Sequence, residues 1–223
     1  MKRIKEQIKK IPVWGYAVGL FYFGLQYGMY RLGNYLSVVI GTFPDAFVCK
    51  IPFIDDLIPV VPVFVIPYIY SYFFWICGPI AVSLTSHRNF KRYIIGLSAA
   101  YLIGFLFFVF MPTYMDREAE GLLAVAAEPG IFNGLLATVY NADGGRIAYN
   151  LLPSYHCLIS VYCYLGVRKQ PEVSRGFRIY SLIMAIVICL STVLTKQHYI
   201  IDTVLGIAIS LLCYLVCEKL IKQ

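Results

Sequence analysis

Residues 181–217 read SLIMAIVICLSTVLTKQHYIIDTVLGIAISLLCYLVC. Two apolar runs, about 178–195 and 199–217, flank the polar stretch TKQHYIID, Thr195 to Asp202. Each run approaches the roughly 20 residues that a helix needs to cross a bilayer. So short a separation predicts a tight helical hairpin with His198 at its tip. A lysine, a histidine and an aspartate are costly near hydrocarbon, so polar groups there mark a functional hypothesis by default. His198 and Asp202 are four residues apart and share one face of a helix. A carboxylate beside an imidazole selects one tautomer, frees the other ring nitrogen and stabilises the ring once charged. Those are the requirements of an activated nucleophile or base. The plainer alternative is a buried histidine satisfied by its helical neighbour.

The rest of the composition agrees with a membrane setting. The 223-residue chain is 60% hydrophobic and 14% charged, against about half apolar and a quarter charged in soluble domains. A net charge of +7 would point to nucleic acid in a soluble protein; here it reads as cationic loops that orient the chain in a bilayer. No nucleic-acid partner is expected. The seven cysteines contain no CxxC pair, which argues against a zinc site or a disulfide framework. They read as small buried hydrophobes.

Six candidate spans follow, at about 12–30, 59–81, 93–112, 152–167, 178–195 and 199–217. The second contains Pro62, Pro67 and Pro79 and is expected to kink. The fourth is short, with Pro153 suited to a first helical turn. Six spans place MKRIKEQIKK, HRNFKR, VRKQPEVSRGFR and EKLIKQ on one side, with fourteen of the nineteen Lys and Arg residues. That is a positive-inside pattern, and it predicts cytoplasmic termini. The opposite side carries two long loops, 31–58 and 113–151. Loops of that length are often functional, and the second is expected to hold one or two short interfacial helices. The chain divides into an N-terminal helix and outer loop (1–58), a core (59–217) and a cytoplasmic tail (218–223).

His156, in LPSYHCL, falls at the same outer end as His198. The helix start beside it offers free backbone N–H groups and a positive dipole end, suited to an anion. Pro153 and Ser154 are also ordinary helix-start residues, so an interfacial cap is the bland reading. Arg117 and Lys196 are two of five outer cations. They can snorkel to the interface, or they can neutralise a transferring phosphoryl group. His87 lies in the cytoplasmic SHRNFKR loop and is expected to take no part.

These residues carry a resemblance. LPSYH (152–156) resembles the second motif, and STVLTKQHYIID (191–202) the third motif, of the type-2 phosphatidic acid phosphatase superfamily. In the third motif Ser191, His198 and Asp202 stand at the matching positions. MPTYMDRE (111–118) is similar to the degenerate first motif of the branch that includes inositol phosphorylceramide synthases. VYNADGGRIAYNLLPSYH (139–156) resembles that branch's approach to its second motif. The resemblance covers roughly residues 59–217. It implies that His198 attacks phosphorus, that Asp202 orients it, and that His156 protonates the leaving alkoxide. Ser154 and Tyr155 would help hold phosphate at the helix start, Ser191 would belong to the same site, and Arg117 would match the first-motif arginine. There are departures: Thr192 replaces the third-motif arginine, Phe110 the first-motif lysine, and Glu118 the following proline. Lys196, or less directly Arg146, is the candidate replacement cation.

The expectation is an all-α polytopic membrane protein of six transmembrane helices. It would dephosphorylate a phospholipid or isoprenyl (di)phosphate at the outer face through a phosphohistidine, with no metal or other cofactor. Its partners would be the lipid phosphate substrate and the surrounding membrane lipids. The alternatives are a lipid headgroup transferase and, from another class, a transporter or scaffold without catalysis.

Overall fold

A computed structural model describes residues 10–221. Most of the basic N-terminal segment and the last two residues of the tail lie outside the described residues. Helix α1 spans Val13–Val39 and the short α2 Pro52–Asp55. Helix α3 (Val65–Val82) follows a 3-10 turn at Pro62–Phe64, and α4 spans His87–Phe110. The connection from α4 to α7 then contributes β1 (Tyr114–Asp116), α5 (Leu122–Ala127), α6 (Ile131–Ala142) and β2 (Ile147–Tyr149). Helices α7 (Tyr155–Val167), α8 (Arg175–Leu194) and α9 (Ile200–Leu220) complete the chain.

Helices therefore stand at all six anticipated positions. Four are long and apolar enough to cross a membrane: Pro62–Val82, α4, α8 and α9. Helix α7 is apolar but has 13 residues, and it packs against α3, α4, α8 and α9. Its residues are buried by protein on nearly every side, so it needs no outward lipid face. On the outer helices, large apolar side chains point away from the bundle, among them Phe73, Leu106, Ile186 and Leu212. That is the pattern of a membrane protein, whose apolar surface faces hydrocarbon instead of water.

Two expectations need correcting, and a third needs an addition. Helix α1 runs to Val39, well beyond residue 30, so the first outer loop is shorter than 31–58. Gly33 lets this extra length touch α4: a Cβ there would lie 2.8 Å from Phe108. The helix stops where Gly41 takes φ +81° and Thr42 N–H reaches back to the Ser37 carbonyl. Pro153 is not in the first turn of α7; Ser154 is the N-cap, and its Oγ accepts from Cys157 N–H. The second outer loop holds the two short helices expected, and also an antiparallel ribbon pairing Tyr114 with Tyr149 and Asp116 with Ile147.

The bundle has one apolar core, around Phe74, Tyr93, Leu97, Tyr101, Leu158 and Tyr162. A second, around Val65, Met115, Leu136, Tyr140, Leu151 and Tyr199, lies under the outer cap. The second core fixes the cap over the helix ends, and the space enclosed beneath it is the candidate site.

Candidate active site

Local sequence explains where the two histidines sit. Ser154 starts α7, so His156 falls in its first turn. Helix α9 starts after Tyr199, whose N–H donates to Asp202 Oδ2 at 2.9 Å, an acidic first-turn cap. The two helix starts meet: Ser154 N–H donates to the Asp202 carbonyl at 3.0 Å. Gly206 permits the approach, since a Cβ there would lie 2.5 Å from the Ser154 carbonyl oxygen. The α8–α9 connection is pinned by the Thr192 carbonyl, which accepts from both Gln197 and His198 N–H.

The result is a pair of imidazoles with ring centroids 6.0 Å apart. Both line a cavity of about 230 Å³ under the cap. His198 is 8% exposed, and its Nδ1 faces Asp202 Oδ2 at 3.5 Å. That is ion-pair distance and longer than a hydrogen bond. It leaves Nε2 for the cavity. The His156 ring is stacked on Tyr68 with centroids 4.1 Å apart and meets the edge of Trp75 at 4.8 Å. Its Nε2 is buried without a hydrogen-bond partner. Catalytic contacts are often long before substrate binds, so the open Nδ1–Asp202 distance is compatible with a working pair.

The other walls are aromatic and polar. Tyr27 and Tyr30 come from α1, Tyr68, Tyr72 and Trp75 from α3, Phe108 from α4, and Tyr149 and Asn150 from the end of β2. No lysine or arginine lines this cavity. Its one carboxylate is Asp143, which accepts from the Tyr30 hydroxyl at 2.8 Å and from Arg117 Nη2 at 2.7 Å.

The sequence candidates therefore fall into two groups. His156, His198 and Tyr155 line the cavity, and Asp202 stands behind His198. The Tyr155 hydroxyl points away, donating to the Tyr101 carbonyl at 2.7 Å. Ser154 and Ser191 are fully buried; Ser154 caps α7, and the Ser191 Oγ donates to the Ile188 carbonyl. The three cations lie outside the wall. Arg117 is 0% exposed. Its Nη1 donates to the carbonyls of Tyr140, Asp143 and Gly145, and its Cζ lies 4.6 Å from the Tyr140 ring centroid. Lys196 donates to the Asp55 carbonyl from a backbone with φ +50°. Burial pushes its ammonium below the ordinary lysine range, with Asp55 the largest opposing influence. Arg146 is exposed and paired with Asp116 and Glu118; its hydrogen bond holds the Asp116 carboxyl below the usual range.

Two cavity residues outside the sequence candidates carry buried, unpartnered polar atoms. Gln197 is 2% exposed and its Oε1 accepts from Arg117 Nη2 at 2.8 Å. A guanidinium can only donate, so the amide oxygen must face it and the Nε2 donors face the other way. That Nε2 is buried with no partner. Asn150, at φ +55°, likewise leaves its buried Oδ1 unpartnered. The only hint of Gln197 in the sequence is its place between Lys196 and His198 in the hairpin.

Residues 57–216 match the family model described as the PAP2 superfamily. The chain belongs to that superfamily. The match takes in α3 to α9, with both histidine helices and the outer cap. Members are generally phosphatases or phosphotransferases, so a phosphatase-like, lipid-related function follows at that level. No curated protein and no solved structure gives a significant match.

Proposed function

We propose that this chain cleaves a phosphoester of a membrane lipid by displacement at phosphorus, with His198 as nucleophile and His156 as acid and base. The observation that carries the reading is the imidazole pair across one enclosed cavity, with Asp202 behind the ring of His198. A near-attack contact of about 3–3.5 Å on one side of phosphorus and a hydrogen bond of about 2.6–3.2 Å on the other suit rings at that separation. His198 Nε2 forms the bond to phosphorus. The lipid alkoxide leaves with the proton of His156. His156 then takes a proton from the acceptor oxygen, which attacks phosphorus and breaks the N–P bond. With water as acceptor the second step releases inorganic phosphate, the dephosphorylated lipid having already left in the first. Gln197 Nε2 supplies an uncharged donor to a phosphoryl oxygen, oriented by Arg117. Asp202 holds the tautomer and stabilises the ring once charged, as in a triad.

One observation favours a second reading, transfer of the group to a lipid alcohol. The cavity wall has no lysine or arginine, and its one carboxylate already pairs with Arg117. A dianionic monoester would meet little fixed positive charge. A phosphodiester, with one negative charge, costs less to place there.

The site belongs, on this proposal, to the extracytoplasmic face of the cell membrane. The support is the charge bias: Arg88, Lys91, Arg92, Arg168, Lys169, Arg175 and Arg178 gather at the opposite helix ends. A cysteine introduced at Asn141 should react with a membrane-impermeant reagent on intact cells. Reaction only after lysis would reverse the orientation.

The mechanism is tested with a nitrophenyl phosphate, whose leaving group needs no acid. His156→Ala should release one nitrophenol per enzyme, then stall with an acid-labile phosphate on His198. His198→Ala should give neither burst nor adduct. An adduct relieved by a lipid alcohol but not by water selects the transferase reading.

A further inference from the structure

The end of the bundle away from the histidines has an open groove of its own, about 260 Å³, between the close of α7 and the opening of α8. Arg168, Arg175 and Arg178 line it with Tyr164, Ile179 and Leu182. Arg168 lies twelve residues along from His156, about 18 Å at 1.5 Å per residue. This is a separate site.

Among the described residues, none of the three guanidiniums is in an ion pair or donates a side-chain hydrogen bond. The Nε atoms of Arg168 and Arg178 are buried and unpartnered. Several other cations are matched: Lys50 with Asp56 and Glu120, Arg117 with Asp143, Arg146 with Asp116 and Glu118, Lys169 with Glu218. Arg92 donates to the Ile221 carbonyl. Glu172, in the same connection, reaches none of the three, and no carboxylate lines the groove. Arg168 is held in place from below, its Cζ 4.8 Å from the Tyr214 ring centroid. Three planar forks, one of them stacked, along one open groove form an arrangement that takes phosphate oxygens two at a time.

The remaining wall decides what kind of phosphate. Ile179 and Leu182 are 48% and 38% exposed, and Ile183, Ile186 and Leu190 continue the same outward strip along α8. From Ile179 to Leu190 the strip runs about 16 Å, about half of a hydrocarbon core of ~30 Å. A charged groove above an apolar strip one leaflet deep matches a phospholipid, not a soluble anion.

We propose that Arg168, Arg175 and Arg178 bind the headgroup phosphate of an anionic phospholipid whose acyl chain lies along Ile179–Leu190. The bound lipid is a resident of the leaflet opposite the histidine cavity and is not the substrate.

Native mass spectrometry of the full chain in neutral detergent tests this, with phosphatidylglycerol as the probe, phosphatidylcholine as the neutral lipid and glycerol phosphate as the soluble anion. His198→Ala is the background, so no lipid is turned over. Arg168→Gln/Arg175→Gln/Arg178→Gln should retain one phosphatidylglycerol fewer than the parent. Arg88→Gln/Lys91→Gln/Lys169→Gln, which removes the same charge from the same end, should retain as many as the parent. Phosphatidylcholine should not replace the lost molecule, and glycerol phosphate should not displace it at equal concentration. Equal retention by both triple variants overturns the site, as does equal loss, which would mean diffuse charge. Displacement by glycerol phosphate would show a phosphate site without the lipid. If the triple variant does not fold, Arg175→Glu carries the test: this exposed position should weaken retention about tenfold, and unchanged retention overturns the proposal. A failed phosphohistidine test leaves this result untouched, since binding is read without turnover.

Discussion

The two ends of the bundle treat positive charge in opposite ways. At the outer end Lys50, Arg117 and Arg146 are tied to carboxylates and Lys196 to a carbonyl, Arg31 stands exposed on α1, and none lines the histidine cavity. At the other end three arginines face an open groove with no acidic partner. A free cation near hydrocarbon is expensive, so each end reveals what it is arranged to hold. The outer cavity offers neutral, directed groups: two imidazoles, an amide and tyrosine rings. The inner groove offers bare charge. Chemistry needs groups that change proton state at a fixed place, whereas retention of a phosphate needs only attraction. If that contrast is right, substitutions at the outer end should rank by what touches the cavity and not by formal charge.

The largest effect should come from His198→Ala. Loss of a nucleophile in a group that acts as a unit costs about 10⁶ in turnover, and activity within tenfold of the parent would break the comparison at once. Arg117→Met comes next, through stability. It removes a buried charge bonded to three carbonyls, Asp143 and Gln197. Breaking a buried pair from one side costs about 3–5 kcal/mol. Thermal unfolding in detergent should show a large drop in Tm, together with lost turnover. Lost turnover at unchanged Tm would mean that Arg117 acts on the reaction, through Gln197 or on the substrate itself, and not on stability.

How much of this could be read from the chain depends on the range of the interaction. The helices were legible because their lipid-facing and packed sides are both apolar, so the runs stand out without any partner. His198, Asp202 and Ser191 are legible as a group because twelve residues and one hairpin hold them. The ends of helices were less so: α1 continues through Arg31 and Asn34 because Gly33 meets Phe108, a contact 75 positions away. The three-residue strands carry too little pattern to be seen. Arg117 showed the same limit. Its charge suggested a phosphate ligand, but its partners lie 23 to 80 residues further on, and only the fold reveals that its donors are taken. Gln197 is not legible in the sequence because an amide carries no charge, yet burial beside a cavity is where an uncharged donor has most effect.

Gln197 gives the third prediction. Gln197→Leu keeps the volume and removes the donor. If Nε2 meets a phosphoryl oxygen in the transition state, turnover should fall about 10²–10³-fold with the phosphohistidine still formed slowly. Gln197→Glu should be worse, since it sets a second anion beside the phosphate, although it would pair well with Arg117. A Gln197→Glu protein as active as Gln197→Leu would show that the amide faces no developing charge.

Lys196 and Arg146 are the smallest case and the most discriminating. Both are outer cations, and both were reasonable replacements for the missing arginine at Thr192. Lys196 sits next to Gln197 in the hairpin but sends its ammonium to the Asp55 carbonyl. Lys196→Met should therefore lose one hydrogen bond, about 0.5–1.5 kcal/mol of stability, with turnover per folded enzyme within a few-fold of the parent. Lys196→Gly separates the two contributions: it loses the same bond but relieves the strain of a side chain at φ +50°, and should be the more stable of the pair. Arg146 is exposed, and its pairs with Asp116 and Glu118 are screened by water. Arg146→Met should change neither Tm nor turnover measurably. Greater loss of turnover for Arg146 than for Lys196 would mean that the Gly144–Gly145 turn, where both residues have positive φ, carries Arg146 into the site during the reaction. The outer end would then use charge as the inner end does, and the contrast between them would describe a resting state alone.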